Sequence, residues 1–387
     1  MLARHNEYQA DAISVELTSA EVAGNALTSV HVFGPYVDEY FWRPYYGQAQ
    51  HYEVPEILPY SGLNGFIRDA KPSDALIENN LSHAMSIETS YDNTHPSLRD
   101  RLSALQVTSP YPVLPEVSSA EFWFAEKYSQ VIDDFNQHWW ENNKEQWSER
   151  FHYAREGRLR LADYAEKSPE LLADDELWDF ASLSFNLCAV EEALPLYHLY
   201  QQRYPDNDDV SFMLGKTLYH MGDEGCIDWL DKVKDSYHFG MEACELAFYF
   251  LSGKQRDEEA AYWHNQANIL NKKIALAEYE RNAVVEHDLF TAPSLDGEIV
   301  EDLVKQIKQY DKIDEVWIGQ KVVDHFQDMP VFIVAFTTKG FLMPKSAKLQ
   351  QVLAESIKFP YLFYVAMYKS NNKRLVKRVM AEGRQII

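Results

Sequence analysis

The sequence predicts a mostly α-helical protein in three parts: a helical segment over residues 1–109, a helical array over 116–280 and a small α/β domain over 283–387. Three observations carry this. Apolar residues recur at helical spacing through most of the first 280 residues. A recurrence of 33 residues divides positions 176–272 into similar units. Beyond Asn282 the pattern changes to strand-length apolar runs set between amphipathic helices. A chain of 387 residues, 46% hydrophobic and 25% charged, suffices for two or three ordinary domains.

Residues 8–30 read as one long helix, striped by Ala10, Ile13, Leu17, Ala20 and Leu27 and stopped by Gly34-Pro35. Residues 33–66 concentrate aromatics, among them Phe33, Tyr40, Phe41, Trp42, Tyr45, Tyr46, Tyr52 and Phe66, with Pro35, Pro44, Pro55 and Pro59 between them. The prolines predict an irregular segment. It fits a loop packed over the helical core, a peptide-binding cleft or a membrane interface. Residues 73–105 return to helix, with a turn at Asp92-Asn93. Pro110, Pro112 and Pro115 then form a linker, because each fixes its own φ and pushes its predecessor toward extended backbone. From Ser118 to about Arg155 one long helix is expected, with Trp139, Trp140 and Trp147 serving helix packing.

Ala181, Leu214 and Ala247 stand 33 residues apart, each in a stretch rich in apolar residues, and the small residues Ala193, Cys226 and Ala260 follow about twelve residues later. Gly222 and Gly253 mark turns. The period and the alternation of small with large residues resemble tetratricopeptide repeats, whose units bury their cores only by stacking. That implies either a concave surface for peptides and partner proteins or a packed helical spacer. In the last part, an amphipathic helix over Ile299–Ile307 precedes strands at Val316–Val323, Val331–Thr337 and Tyr361–Tyr368, with helices near 346–357 and 372–382. Lys369, Lys373, Arg374, Lys377, Arg378 and Arg384 give its end a basic face, which suits either solvent or an anionic membrane surface.

The formal net charge of −24 argues against general nucleic-acid binding, since a phosphate backbone is repelled. Three cysteines, Cys188, Cys226 and Cys244, are too few and too apolar in setting for a disulfide framework, and predict a soluble chain in a reducing compartment. No signal-peptide pattern opens the chain. Its strongest apolar run, Val331–Phe336, is strand-length and far short of the ~20 residues of a membrane helix.

The residues that carry chemistry lie at the start. Glu7 and Asp11 are four apart and project from one helix face. Such a face suits a metal site, where a helical Glu is the third protein ligand beside the histidines of an H-E-x-x-H motif. From spacing alone it suits a solvated helix face better, partly neutralised by Arg4. A second stretch, Thr94-His95-Pro96-Ser97-Leu98-Arg99-Asp100-Arg101-Leu102, follows. Together the two resemble the E-x-x-A-D helix and T-H-P-x-x-x-x-R-[LI] segment of the HtpX-like membrane zinc metallopeptidases, a family that includes the CAAX prenyl endopeptidases and the outer-membrane assembly-maintenance proteases. The resemblance covers roughly residues 4–107.

It implies that Glu7 ligates zinc, that Asp11 orients a zinc-bound histidine, and that His95 is a catalytic histidine. From outside the metal's ligands His95 would donate to the oxyanion or occupy the open zinc position. Arg101 would anchor the segment. His95 also fits beside a helix start capped by Thr94, with Pro96 in the first turn. The resemblance requires an H-E-x-x-H motif upstream of Glu7, and the chain has no H-x-x-x-H, its nearest histidines being His83 and His95. The expectation is therefore the C-terminal part of a zinc endopeptidase, inactive and without tightly held zinc. Its membrane anchors would lie further upstream and place the whole enzyme at the cytoplasmic face of a membrane. The competing expectation is a non-catalytic helical-repeat adaptor for peptides or partner proteins.

Overall fold

The computed structural model describes residues 2–69, 72–89, 94–114, 117–339, 346–369 and 371–387. It is mostly helical with a small C-terminal sheet. The chain divides into two compact units, one of Met1–Leu172 with Asn186–Cys188, the other of Ala173–Phe185 with Ala189–Ile387. Among the described residues no helix is long and apolar enough to cross a membrane.

In the first unit α1 spans Leu2–Leu17 and α2 spans Ala20–Val37. The single helix expected over 8–30 is thus broken at Ser19. Its backbone is extended there, and its hydroxyl accepts from the N–H of Val22, so a serine cap restarts the helix inside an unbroken apolar stripe. Gly34-Pro35 does not end α2. Pro35 sits in its last turn, and the backbone continues through a π-helical turn, Asp38–Trp42, into α3, Arg43–Gly47, and a 3₁₀ turn, Gln48–Gln50.

The expectation of irregular backbone over 33–66 is therefore corrected: it holds only between His51 and Leu58, before α4 at Pro59–Asp69. Phe41, Tyr45 and Ala49 recur one turn apart and are buried against Trp139 and Trp147, with Trp42, Tyr60, Leu63 and Phe66 packed around them. The aromatics are the core of this unit, and their burial outweighs the local cost of the prolines.

Next come α5, Asp74–Ser86, and α6, Leu98–Ala104; the turn expected at Asp92-Asn93 lies outside the described residues. Leu98, Leu102 and Ala84 form a second core with Leu27, Leu81, Met85 and Val107. Gly24 lets α2 approach it, because a Cβ there would stand 2.9 Å from a Val107 methyl. Residues 110–114 of the proline-rich stretch run along α2, where the N–H groups of Tyr111 and Val113 donate to Asn25 and Ser29 side chains at 3.0 and 2.8 Å. The helix expected from Ser118 is two, α7 at Ser119–Phe124 and α8 at Tyr128–Ala165, because Ala125 turns the backbone to a φ of 43°.

The second unit begins with six helices: α9 Asp174–Leu187, α10 Val190–Arg203, α11 Asp208–His220, α12 Cys226–Val233, α13 Gly240–Gly253 and α14 Asp257–Arg281. Helix α11 packs on α12, and α13 on α14. Ala181, Leu214 and Ala247 are fully buried near the middle of α9, α11 and α13, and Ala193, Cys226 and Ala260 are buried on α10, α12 and α14. Gly215 lets α11 pack tightly on α12, since a Cβ there would meet Leu230 at 2.8 Å.

No cysteine is in a disulfide; Cys188 is exposed and the other two are buried. Burial pushes the Cys226 and Cys244 thiols up to about 11. Alkylation with iodoacetamide at pH 8 is expected to modify Cys188 alone in the native chain and all three residues in denaturant, as counted by intact mass.

The remainder is a five-stranded sheet with helices on both faces: β1 Phe290–Thr291, α15 Gly297–Ile307, β2 Ile313–Lys321, β3 Val331–Thr338, α16 Ser346–Ser356, β4 Leu362–Met367, α17 Lys373–Glu382 and β5 Arg384–Gln385. The strand order is β1-β2-β3-β4, with β5 also on β2. β2 and β3 are antiparallel, and the β3–β4 pair is parallel, as a crossover through α16 requires. Phe332, Val334 and Phe336 face Leu303, Ile307 and Leu353, while Ile333 and Ala335 face Val376 and Val379. Helix α17 buries Leu375, Val376 and Val379 and leaves Lys373, Arg374 and Lys377 exposed. Buried Arg281 at the end of α14 donates to the carbonyls of His325, Phe326 and Met329, tying the helical array to the sheet.

Candidate active site

Two elements build the site. Helix α1 carries Glu7 and Asp11 one turn apart. Helix α6 carries Arg101, and its rotation is fixed by the burial of Leu98 and Leu102, each 1% exposed. The cap of α6 is Ser97 rather than Thr94: its hydroxyl accepts from the Asp100 N–H at 3.3 Å, three residues on, so Pro96 precedes the cap and lies outside the first turn. Thr89 braces this start, accepting from the Ser97 N–H at 2.8 Å and donating to the Asp100 carboxylate at 2.5 Å. The S-x-x-D spacing signals such a cap, whereas nothing in the sequence points to Thr89.

The four residues singled out by sequence meet in one chain of contacts. The Arg101 guanidinium grips Asp11 through two bonds, Nε to Oδ2 at 2.8 Å and Nη2 to Oδ1 at 2.6 Å. Its third nitrogen lies 3.2 Å from Glu7 Oε2. The other Glu7 oxygen is 2.8 Å from His95 Nδ1. Exposure rises along the chain: the side chains of Asp11, Arg101, Glu7 and His95 are 6%, 14%, 26% and 72% accessible. The Asp11 hydrogen bonds push the Arg101 pKa above its ordinary value against the opposing effect of burial, and the charge of Glu7 adds to the rise. A permanently charged, two-pronged clamp thus holds the inner end, and a solvent-facing imidazole stands at the outer end.

Residues 1–109 match the family model for peptidase family M48. No curated protein and no solved structure matches the chain. The matched segment contains all four contacting residues, and a peptidase of metal-dependent type is what the match supports. Peptidases of the M48 family are generally zinc-dependent, yet the residues present here do not by themselves fit that metal. Among the described residues no group of three or more His, Cys, Asp or Glu side chains is placed to hold an ion. Both Asp11 oxygens are bound by Arg101, and the two Glu7 oxygens are shared between Arg101 and His95. A catalytic zinc takes three protein ligands, and of the four contacting residues the resemblance makes only Glu7 one.

Proposed function

We propose that residues 1–109 are the C-terminal part of an HtpX-like, membrane-associated zinc endopeptidase domain, and that this chain alone does not hydrolyse peptides. The observation that carries the reading is the meeting of Glu7 and Asp11 on α1 with His95 and Arg101, some ninety residues later, in the order of the two family motifs. In the whole enzyme Glu7 is the metal ligand that this chain contributes. Asp11, held by Arg101, orients a neighbouring ligand. His95, whose Nδ1 donates to Glu7, turns Nε2 toward substrate, and when the ring carries both protons Nε2 donates a hydrogen bond to developing negative charge. Arg101 positions α1 against α6. The substrates are proteins or peptides.

A second reading is favoured by the helical array. Full burial of Ala181, Leu214 and Ala247 at matching places on alternate helices supports tetratricopeptide-like stacking, and with it an adaptor that binds peptides or partner proteins without a metal.

Two substitutions in a chain extended upstream to include an H-E-x-x-H segment test the roles. Glu7→Gln is expected to lose zinc and activity together, whereas His95→Ala is expected to keep zinc and lower kcat by roughly 10²–10³-fold. Zinc content by mass spectrometry and peptide hydrolysis are the readouts. Equal loss of metal in both variants contradicts the roles assigned.

A further inference from the structure

The groove between α3 and α8 has a lining unlike the rest of this acidic chain. Its volume is about 860 Å³, and its walls carry Arg43 and Arg150 and no carboxylate, although the sequence holds 60 acidic and 36 basic residues. Its floor is aromatic and rigid: Trp139 and Trp147 are 8% and 2% exposed, and the Trp147 indole is fixed by donating to the Tyr52 carbonyl at 2.9 Å. Tyr46, partly exposed, stands over Trp139 with ring centroids 6.3 Å apart.

Along α8 the lining mixes aromatic and polar side chains. Trp139 and Trp147 line the groove together with Gln146 and Arg150, which stand one turn apart on either side of Trp147 in the sequence. Among the described residues neither Gln146 nor Arg150 has a hydrogen-bond or ion-pair partner. Arg43 on the facing wall shares its charge with Glu39 at 3.0 Å. From Trp139 to Arg150 is eleven residues of helix, roughly 16 Å, a length that about five residues of extended peptide span.

We propose that this groove binds the C-terminal end of an extended peptide, with the α-carboxylate on Arg150, the last amide on Gln146 and an aromatic or long aliphatic side chain on the Trp139–Trp147 floor. A carboxylate suits it better than a phosphate. One unpaired guanidinium matches a single negative charge in bidentate fashion. The wall is the middle of α8, whose backbone N–H groups are consumed in the helix, so the amide cradle that phosphates use at helix starts is lacking. The site is separate from the Glu7–His95 contact, and its test needs no proteolysis, so it stands or falls independently of the peptidase reading.

The test is fluorescence anisotropy of the full chain with a fluorescein-labelled pentapeptide ending in phenylalanine, as the free acid and as the C-terminal amide. The acid is expected to bind at least tenfold more tightly than the amide and to weaken with salt. Arg150→Gln, at an exposed position, is expected to remove that preference while leaving the circular dichroism spectrum and Tm unchanged. Glu149→Gln, exposed and outside the groove, is expected to leave binding unchanged. Equal affinity for acid and amide, no binding of either, no effect of Arg150→Gln, or displacement of the acid by micromolar adenosine triphosphate would each overturn the proposal.

Discussion

Arg101→Met is expected to destabilise the Met1–Leu172 unit by about 3–5 kcal/mol, the cost of leaving one member of a buried ion pair without its partner. Asp11 is 5% exposed and receives both its charged hydrogen bonds from Arg101, so the substitution strands a carboxylate in the interior. Urea denaturation followed by tryptophan fluorescence measures the loss. The double variant Asp11→Leu/Arg101→Met is expected to recover most of it, because two apolar side chains leave no buried charge unpaired. His95→Ala gives the contrast: that side chain is 72% accessible, and its removal is expected to cost no more than about 0.5 kcal/mol. A loss below about 1 kcal/mol for Arg101→Met would mean that the clamp does not hold α1 to α6.

The second large effect belongs to the aromatic core. Trp147→Ala is expected to cost about 3–5 kcal/mol, since it empties a space 2% exposed and deprives the Tyr52 carbonyl of its donor. Tyr45 and Trp139, whose rings stand 5.6 and 6.0 Å from that of Trp147, lose their packing partner together. Trp147→Phe keeps most of the volume and is expected to recover more than half of the loss in the same denaturation experiment.

What the sequence makes legible follows from how each element is stabilised. The core strands of the α/β part are read within two or three residues, because β3 is buried on both faces and therefore appears as an uninterrupted apolar run. The two-residue strands β1 and β5 carry no pattern of their own and exist only as additions to β2. In the N-terminal unit burial overrides local signals. Pro35 and Pro44 argue for irregular backbone, but Pro44 lies in the first turn of α3, where a missing N–H costs little, and the hydrogen bond that Pro35 removes from the last turn of α2 is offset by the burial of Phe41, Tyr45 and Ala49 beyond it. The Ser19 cap is present in the sequence but masked by a continuous apolar stripe. In the site, the four-residue spacing shows that Glu7 and Asp11 share a face, yet no spacing shows that Arg101 binds both. That contact joins positions ninety apart and is reached through the motif order alone. Thr89, which braces the start of α6, has no signal at all.

The most direct measurement for the peptidase reading is made on a chain extended by the in-frame coding sequence upstream of Met1. The expected result is an H-E-x-x-H motif in that sequence, close to one equivalent of zinc in the purified extended protein, and peptide hydrolysis abolished by Glu7→Gln. A stop codon shortly before Met1, or an extended protein whose zinc content is unchanged by Glu7→Gln, would contradict it.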